Sequence, residues 1–152
     1  MSKSKLKLSI ELVPESCWYK SLRTEMPRRR WDKFRNEVIE ASHNACDICG
    51  SKDKLHCHEI WEYDDKKRIQ KLVGFQTVCN MCHFVHHIGL ASNLANQGHL
   101  DFDAVIQHFG KVNKLKKVDF EQHHKEAFAL WEKRSKLKWK SDLGKYSKLL
   151  DG

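Results

Sequence analysis

Long apolar runs are missing from this sequence: none approaches the roughly 20 residues that a bilayer-spanning helix needs. The opening stretch, Met1 to Leu8, is basic but lacks an apolar core and a small-residue cleavage site, so no secretory signal is expected there. No lipidation motif marks a membrane anchor. Proline occurs twice and glycine seven times in 152 residues, which excludes collagen-like and low-complexity classes. No repeat period points to a solenoid. What remains is a globular chain of about one domain, expected to be cytoplasmic and without a membrane partner.

What the chain does have is positive charge, cysteine and histidine. The net charge is +8 and the pI about 9.2, a balance that favours polyanions, of which nucleic acid is the commonest soluble one. DNA is the expected partner ahead of RNA, and a homodimer is left open. Six cysteines in a chain without a secretory signal are expected to be thiols, where paired Cys-x-x-Cys motifs mean metal or redox chemistry.

Periodicity gives an α+β expectation. Lys5 to Val13 alternates, with Leu6, Leu8, Ile10 and Leu12 on one side, predicting a half-buried strand stopped by Pro14. Trp31 to about Asn44 has helical spacing, preceded by the basic run Arg28-Arg29-Arg30. Leu55 to Tyr63 and Leu72 to Val78 read as two short strands, and a helix is predicted from Cys79 through His87 towards Leu90. The last third reads as all-helical. Asp101 caps one helix that Gly110 ends, and Asp119 with Gln122 has capping-box spacing for another. The expected organisation is an N-terminal strand and basic extension over 1–30, a zinc domain over 31–92 and a helical extension over 93–152, packed as one globular unit. Cys17 and the tryptophans at 31, 61, 131 and 139 are assigned to packing, with base stacking a minor option for Trp139.

Two motifs carry chemistry. Cys46-Asp-Ile-Cys49-Gly50 and Cys79-Asn-Met-Cys82 offer four thiolates at the spacing of a structural zinc site, with Gly50 suited to the tight turn of such a knuckle. Two pairs in one small domain argue against a thioredoxin-type redox site. The ten histidines are concentrated: His56 and His58 flank Cys57 on the first predicted strand, and His83, His86 and His87 follow the second cysteine pair. His83 and His87 are four apart on a helix, so they share a face and can bind one ion, while His86 points elsewhere, towards phosphate or solvent.

The order Cys-x-x-Cys-Gly, then Cys57-His58-Glu59-Ile60, then Cys-x-x-Cys-His-x-x-x-His over about Trp31 to Leu90 resembles the HNH endonuclease family, and within it a bacterial HNH-like subgroup. The resemblance implies a small ββα-metal finger core stapled by a zinc ion on the four paired cysteines. It implies that His58 is the general base that deprotonates water, and that His83 and His87 hold a second divalent ion (Mg²⁺, Mn²⁺, Ni²⁺ or Zn²⁺). Cys57 falls where the family has a first-strand metal ligand, and Gly74 falls near its central Asn or His. Three roles for Cys57 stay open: ligand of the second ion, member of a closed second zinc site with His58, His83 and His87, or a core thiol with Glu59 or His56 as ligand. Arg28, Arg29, Arg30 and His86 are the expected nucleic-acid contacts. The alternative function is a catalytically degenerate zinc module that binds nucleic acid or a protein.

Overall fold

A computed structural model describes residues 6–18 and 20–150. The chain is α+β: a three-stranded sheet carries helices on both faces. Its centre is the antiparallel hairpin of β1 (Leu55–Asp64) and β2 (Ile69–Cys79), in which His58 lies opposite Gln76 and Ile60 opposite Gly74. The register shifts after Ile60, where Val73 takes no partner on β1. A hairpin two-sided in apolar residues needs cover on both faces. One face packs on α3 (Asn80–His86); the other packs on α1 (Leu22–Glu25), α2 (Arg28–Ala41) and the C-terminal 3₁₀ segment Gly144–Leu150. Helices α4 (Ile88–Asn96), α5 (Phe102–Asn113) and α6 (Lys117–Ser135) complete the larger core around Val85, Ile88, Val105, Phe109 and Phe120.

The predicted N-terminal strand is corrected in kind, with Lys5 outside the described residues. Leu8 and Ile10 are buried as the alternation requires, but among the described residues the segment pairs with no strand. Its backbone is satisfied largely by side chains instead, with Glu11 N donating to His86 O at 3.0 Å. Asn113 Oδ1 accepts from Lys7 N and Leu8 N at 2.8 and 2.9 Å, and its Nδ2 donates to Leu8 O at 2.8 Å. His123 Nε2 accepts from Ile10 N at 2.9 Å. Alternation reports which side chains are buried, not who takes the backbone hydrogen bonds. Asn113→Ala removes three of these bonds from a part-buried segment and is expected to cost about 2–3 kcal/mol. That appears as a thermal midpoint lowered by roughly 5–10 °C; an unchanged midpoint would show that Asn113 does not anchor the segment.

Three boundaries differ from expectation. The helix beginning at the second cysteine pair is two helices, broken at His87 (φ −104°, ψ 60°). Gly110 does not end α5, which runs on to a left-handed Lys114. A Cβ on Gly110 would stand 2.8 Å from Leu115 O, so glycine serves the close approach of the following turn. Asp119 is the third residue of α6, not its cap, and accepts from Lys116 N at 2.8 Å. The last third is also not all-helical: β3 (Lys140–Asp142) pairs in parallel with β2. Trp139 is buried, its indole N–H donated to Arg134 O, so it is not available to stack on a base.

Candidate metal centres and a basic cleft

Cys46 and Cys49 sit in the turn after α2; Cys79 ends β2 and Cys82 lies in the first turn of α3. Their sulfurs all lie within 4.8 Å of one another, with Cys46–Cys82 at 3.8 Å and Cys49–Cys79 at 3.5 Å. These are not disulfides. A tetrahedral ion with metal–sulfur bonds of about 2.3 Å spaces its sulfurs by about 3.8 Å, so the four cysteines can hold a metal ion. Backbone N–H groups point at the sulfurs as they do in a metal knuckle: Ile48 N and Cys49 N to Cys46, and Cys82 N to Cys79, each at 3.4 Å. His108 of α5, which the sequence did not single out, places Nε2 3.2 Å from Cys82 Sγ, where an N–H donates to a thiolate. Without a cation the sulfurs compete: the hydrogen bond with Cys82 holds Cys79 down at about 3, while the same contact and burial push Cys82 up. A bound cation relieves that conflict by favouring thiolate at all four.

The second cluster lies beside the first. One ring nitrogen each of His58, His83 and His87 falls within 4.8 Å of the others. His83 and His87 share a face although the helix breaks at His87, and their ring centroids are 4.6 Å apart. Burial keeps these imidazoles neutral: His83 is lowered to about 2 and His87 to about 4, with neighbouring histidines adding to the effect. His58 is lowered too, by burial first, with its hydrogen bond to Glu11 opposing. Three converging neutral imidazoles are a donor set that fits a divalent ion and leaves coordination positions open.

The N-terminal segment supplies a residue that no sequence pattern flagged. Glu11 Oε1 is 2.8 Å from His58 Nε2, and Oε2 is 3.1 Å from His86 Nδ1. Burial raises the Glu11 carboxyl, but the hydrogen bonds from His58 and His86 outweigh it and hold the group well below the usual carboxylate range. An ionised carboxylate only accepts, so His58 donates Nε2–H and carries its lone pair on Nδ1. His86 is corrected: it is 2 % exposed, stacked on His58 at 4.2 Å, with Nδ1 also 2.8 Å from Ser9 O, and no phosphate reaches it. Among the described residues its Nε2 has no hydrogen-bond partner.

Cys57 is not in this cluster. Strand alternation turns it to the opposite face, against the core of Leu22, Met26 and Trp31, and burial with the Glu59 carboxylate pushes its thiol up to about 12. Glu59 is on that face as well, accepting from Leu22 N at 2.8 Å. His56 stacks on His83 at 4.2 Å with Nε2 3.0 Å from Asn80 Oδ1, outside the trio. Gly74 pairs with Ile60, and a Cβ there would meet only the Ile60 side chain, at 3.8 Å.

A cleft of about 350 Å³ opens onto His83 and His56, lined also by Arg23, Arg28, Arg35, Trp31 and Cys57. Of the predicted basic run, Arg28 lines it, Arg29 is exposed elsewhere, and Arg30 donates to Leu149 O at 3.0 Å. Arg23 and Arg35 were missed because they stand apart in sequence. No protein-family model, curated protein or solved structure matches this chain. Among the described residues, no helix is long and apolar enough to cross a membrane.

The lowered histidines set a pH dependence. In the unfolded chain they take up protons near 6.5, whereas His87 and His83 in the fold resist until about 4 and about 2. Between those limits the unfolded state binds more protons, so stability falls as pH falls. The thermal midpoint is expected to drop by on the order of 5–10 °C from pH 7 to pH 5, and less steeply in His83→Asn/His87→Asn. Any ion held by these rings is lost in the same direction. A midpoint independent of pH over that range would contradict the buried, neutral assignment.

Proposed function

We propose that the chain is an HNH-type endonuclease: a ββα-metal finger stapled by a zinc ion on four cysteines, hydrolysing phosphodiester bonds in nucleic acid, DNA in preference to RNA. The observation that carries this reading is the His58–His83–His87 convergence beside a cleft lined by three arginines. Anionic substrate, neutral nitrogen ligands and a base fixed in one tautomer are what metal-assisted phosphodiester hydrolysis requires. His83 and His87 would hold a divalent ion, which when bound polarises a phosphoryl oxygen and stabilises developing charge. His58, neutral near pH 7 and oriented through Nε2 by Glu11, presents Nδ1 to take a proton from the attacking water. Glu11 thereby does from the N-terminal segment what a hairpin side chain does in the family pattern. Arg23, Arg28 and Arg35 hold phosphate oxygens and orient the backbone.

One observation favours a second reading, a non-catalytic zinc module. His58 is only 6 % exposed, and three rings closing on one ion would leave no base. Supercoiled plasmid incubated with Mg²⁺, Mn²⁺, Ni²⁺ or Zn²⁺ separates the two. Nicking that requires added ion and is lost in His58→Ala supports the nuclease; no nicking with any ion overturns it.

A further inference from the structure

We infer that a nucleic-acid strand runs along the seam between α2 and the start of β1, from the cysteine knuckle to the histidine cluster, and that this groove, not the lysine-bearing C-terminal tail with Lys145 and Lys148, is the polyanion site. The inference rests on the proposed reading only in taking nucleic acid as the ligand. Two hollows lie end to end along this seam. The first, about 420 Å³, is lined by Arg35, Asn36, Ile39, Glu40, Lys52 and Lys54 among others; the second is the 350 Å³ cleft at His83. Arg35 lines both, and Leu55 in the first is followed directly by His56 and Cys57 in the second.

The helix residues involved, Arg28, Trp31, Asp32, Arg35, Ile39 and Glu40, recur three or four apart and so form one continuous face. From Arg28 to Glu40 that face is about 18 Å long, enough to follow several successive phosphates of one strand. Five cations, Arg23, Arg28, Arg35, Lys52 and Lys54, stand along it against two carboxylates, Asp32 and Glu40. Arg28 is 94 % exposed and only loosely paired with Asp32 at 4.0 Å. Arg35 is fixed by its bond to Leu55 O at 2.8 Å, a rigid cation at the middle of the track. Lys52 and Lys54 belong to the loop that follows Cys49, so the metal knuckle positions the far end of the groove while the histidines occupy the near end.

The basic residues of the C-terminal tail line neither of these two hollows. Lys145 lies over the Tyr146 ring at 5.4 Å, and Lys148 is exposed on the 3₁₀ segment. The charge excess that suggested nucleic acid therefore has a specific address, distant in sequence from Lys145 and Lys148.

The test is fluorescence anisotropy with labelled single-stranded DNA, single-stranded RNA and duplex DNA, using the zinc-bound full chain without added divalent ion. Lys52→Ala/Arg28→Ala removes one exposed cation from each end of the groove; Lys145→Ala/Lys148→Ala removes two from the tail. The groove pair is expected to weaken binding of at least one nucleic acid about tenfold and to reduce the slope of log affinity against log salt by about 1.4 to 1.8. The tail pair is expected to stay within about twofold. Equal or greater loss in the tail pair, an unchanged salt slope in the groove pair, or no binding by any of the three nucleic acids would each overturn the groove. Groove-dependent binding without cleavage under any ion supports this inference while overturning the hydrolytic reading; cleavage with groove-independent binding does the reverse.

Discussion

Serine in place of Cys82 is expected to leave the chain without a cooperative thermal transition. Cys82 is fully buried, 0 % exposed, and joins the knuckle after α2 to the first turn of α3. Losing its thiolate leaves three sulfurs for the ion, and it leaves a hydroxyl in a pocket that held sulfur. Structural zinc contributes on the order of 10–16 kcal/mol in small domains, comparable with or larger than the whole stability of about 5–15 kcal/mol. Loss of the ion releases the start of α3 from the knuckle, and the histidines that α3 carries are expected to lose their register with His58. Circular dichroism melting with metal analysis reads the effect. Cys57→Ser is the contrast: its thiol is neutral and faces the other core, so it is expected to keep full metal content and lose only about 1–2 kcal/mol. A Cys82→Ser protein that melts like the unaltered chain and keeps its metal would refute the knuckle.

The second large effect concerns the histidine cluster. If the proposed function holds, His58→Ala is expected to lower cleavage about 10²–10⁴-fold while an ion on His83 and His87 stays bound, because a base contributes to proton transfer and not to holding the ion. His83→Ala is expected to lose the ion and the activity together. Parallel measurement of metal uptake and plasmid nicking separates the roles. If His58→Ala also loses the ion, His58 is a ligand and the base assignment falls; if His83→Ala keeps both, the trio is not a metal centre. Glu11 couples to this experiment, since its carboxylate fixes the His58 tautomer from 47 residues away in sequence.

Much of this arrangement was legible because metal ligands announce themselves by spacing. Two Cys-x-x-Cys pairs and His83 with His87 come together as expected, since a short helix or turn leaves few ways to arrange them. Glu11 was not legible: it lies on the polar side of an alternating segment, where a carboxylate ordinarily meets water. Its partners, His58 and His86, come from β1 and α3, and only the path of the segment across α5 and α6 brings it there. His86 was misjudged because helical position fixes direction, but what stands in that direction is decided by the rest of the fold. Cys57 followed the same logic in reverse: alternation correctly set it opposite His58, and the core of Leu22 and Trp31 decided which face was the apolar one. Arg23 and Arg35 flank the conspicuous run at 28–30 and were overshadowed by it. The parallel pairing of Lys140–Asp142 with β2 is a non-local contact that a three-residue stretch cannot signal.

Both effects rest on the proposal of two metal sites of different kind, one closed by the four cysteines and one open on His83 and His87 with His58 beside them. Metal analysis before and after mild chelation tests this most directly. The prediction is one zinc per chain that survives the treatment and one further equivalent of divalent ion that leaves, rebinds on addition, and is absent in His83→Ala/His87→Ala. Two ions per chain that both resist removal, or a single equivalent under every condition, would contradict it.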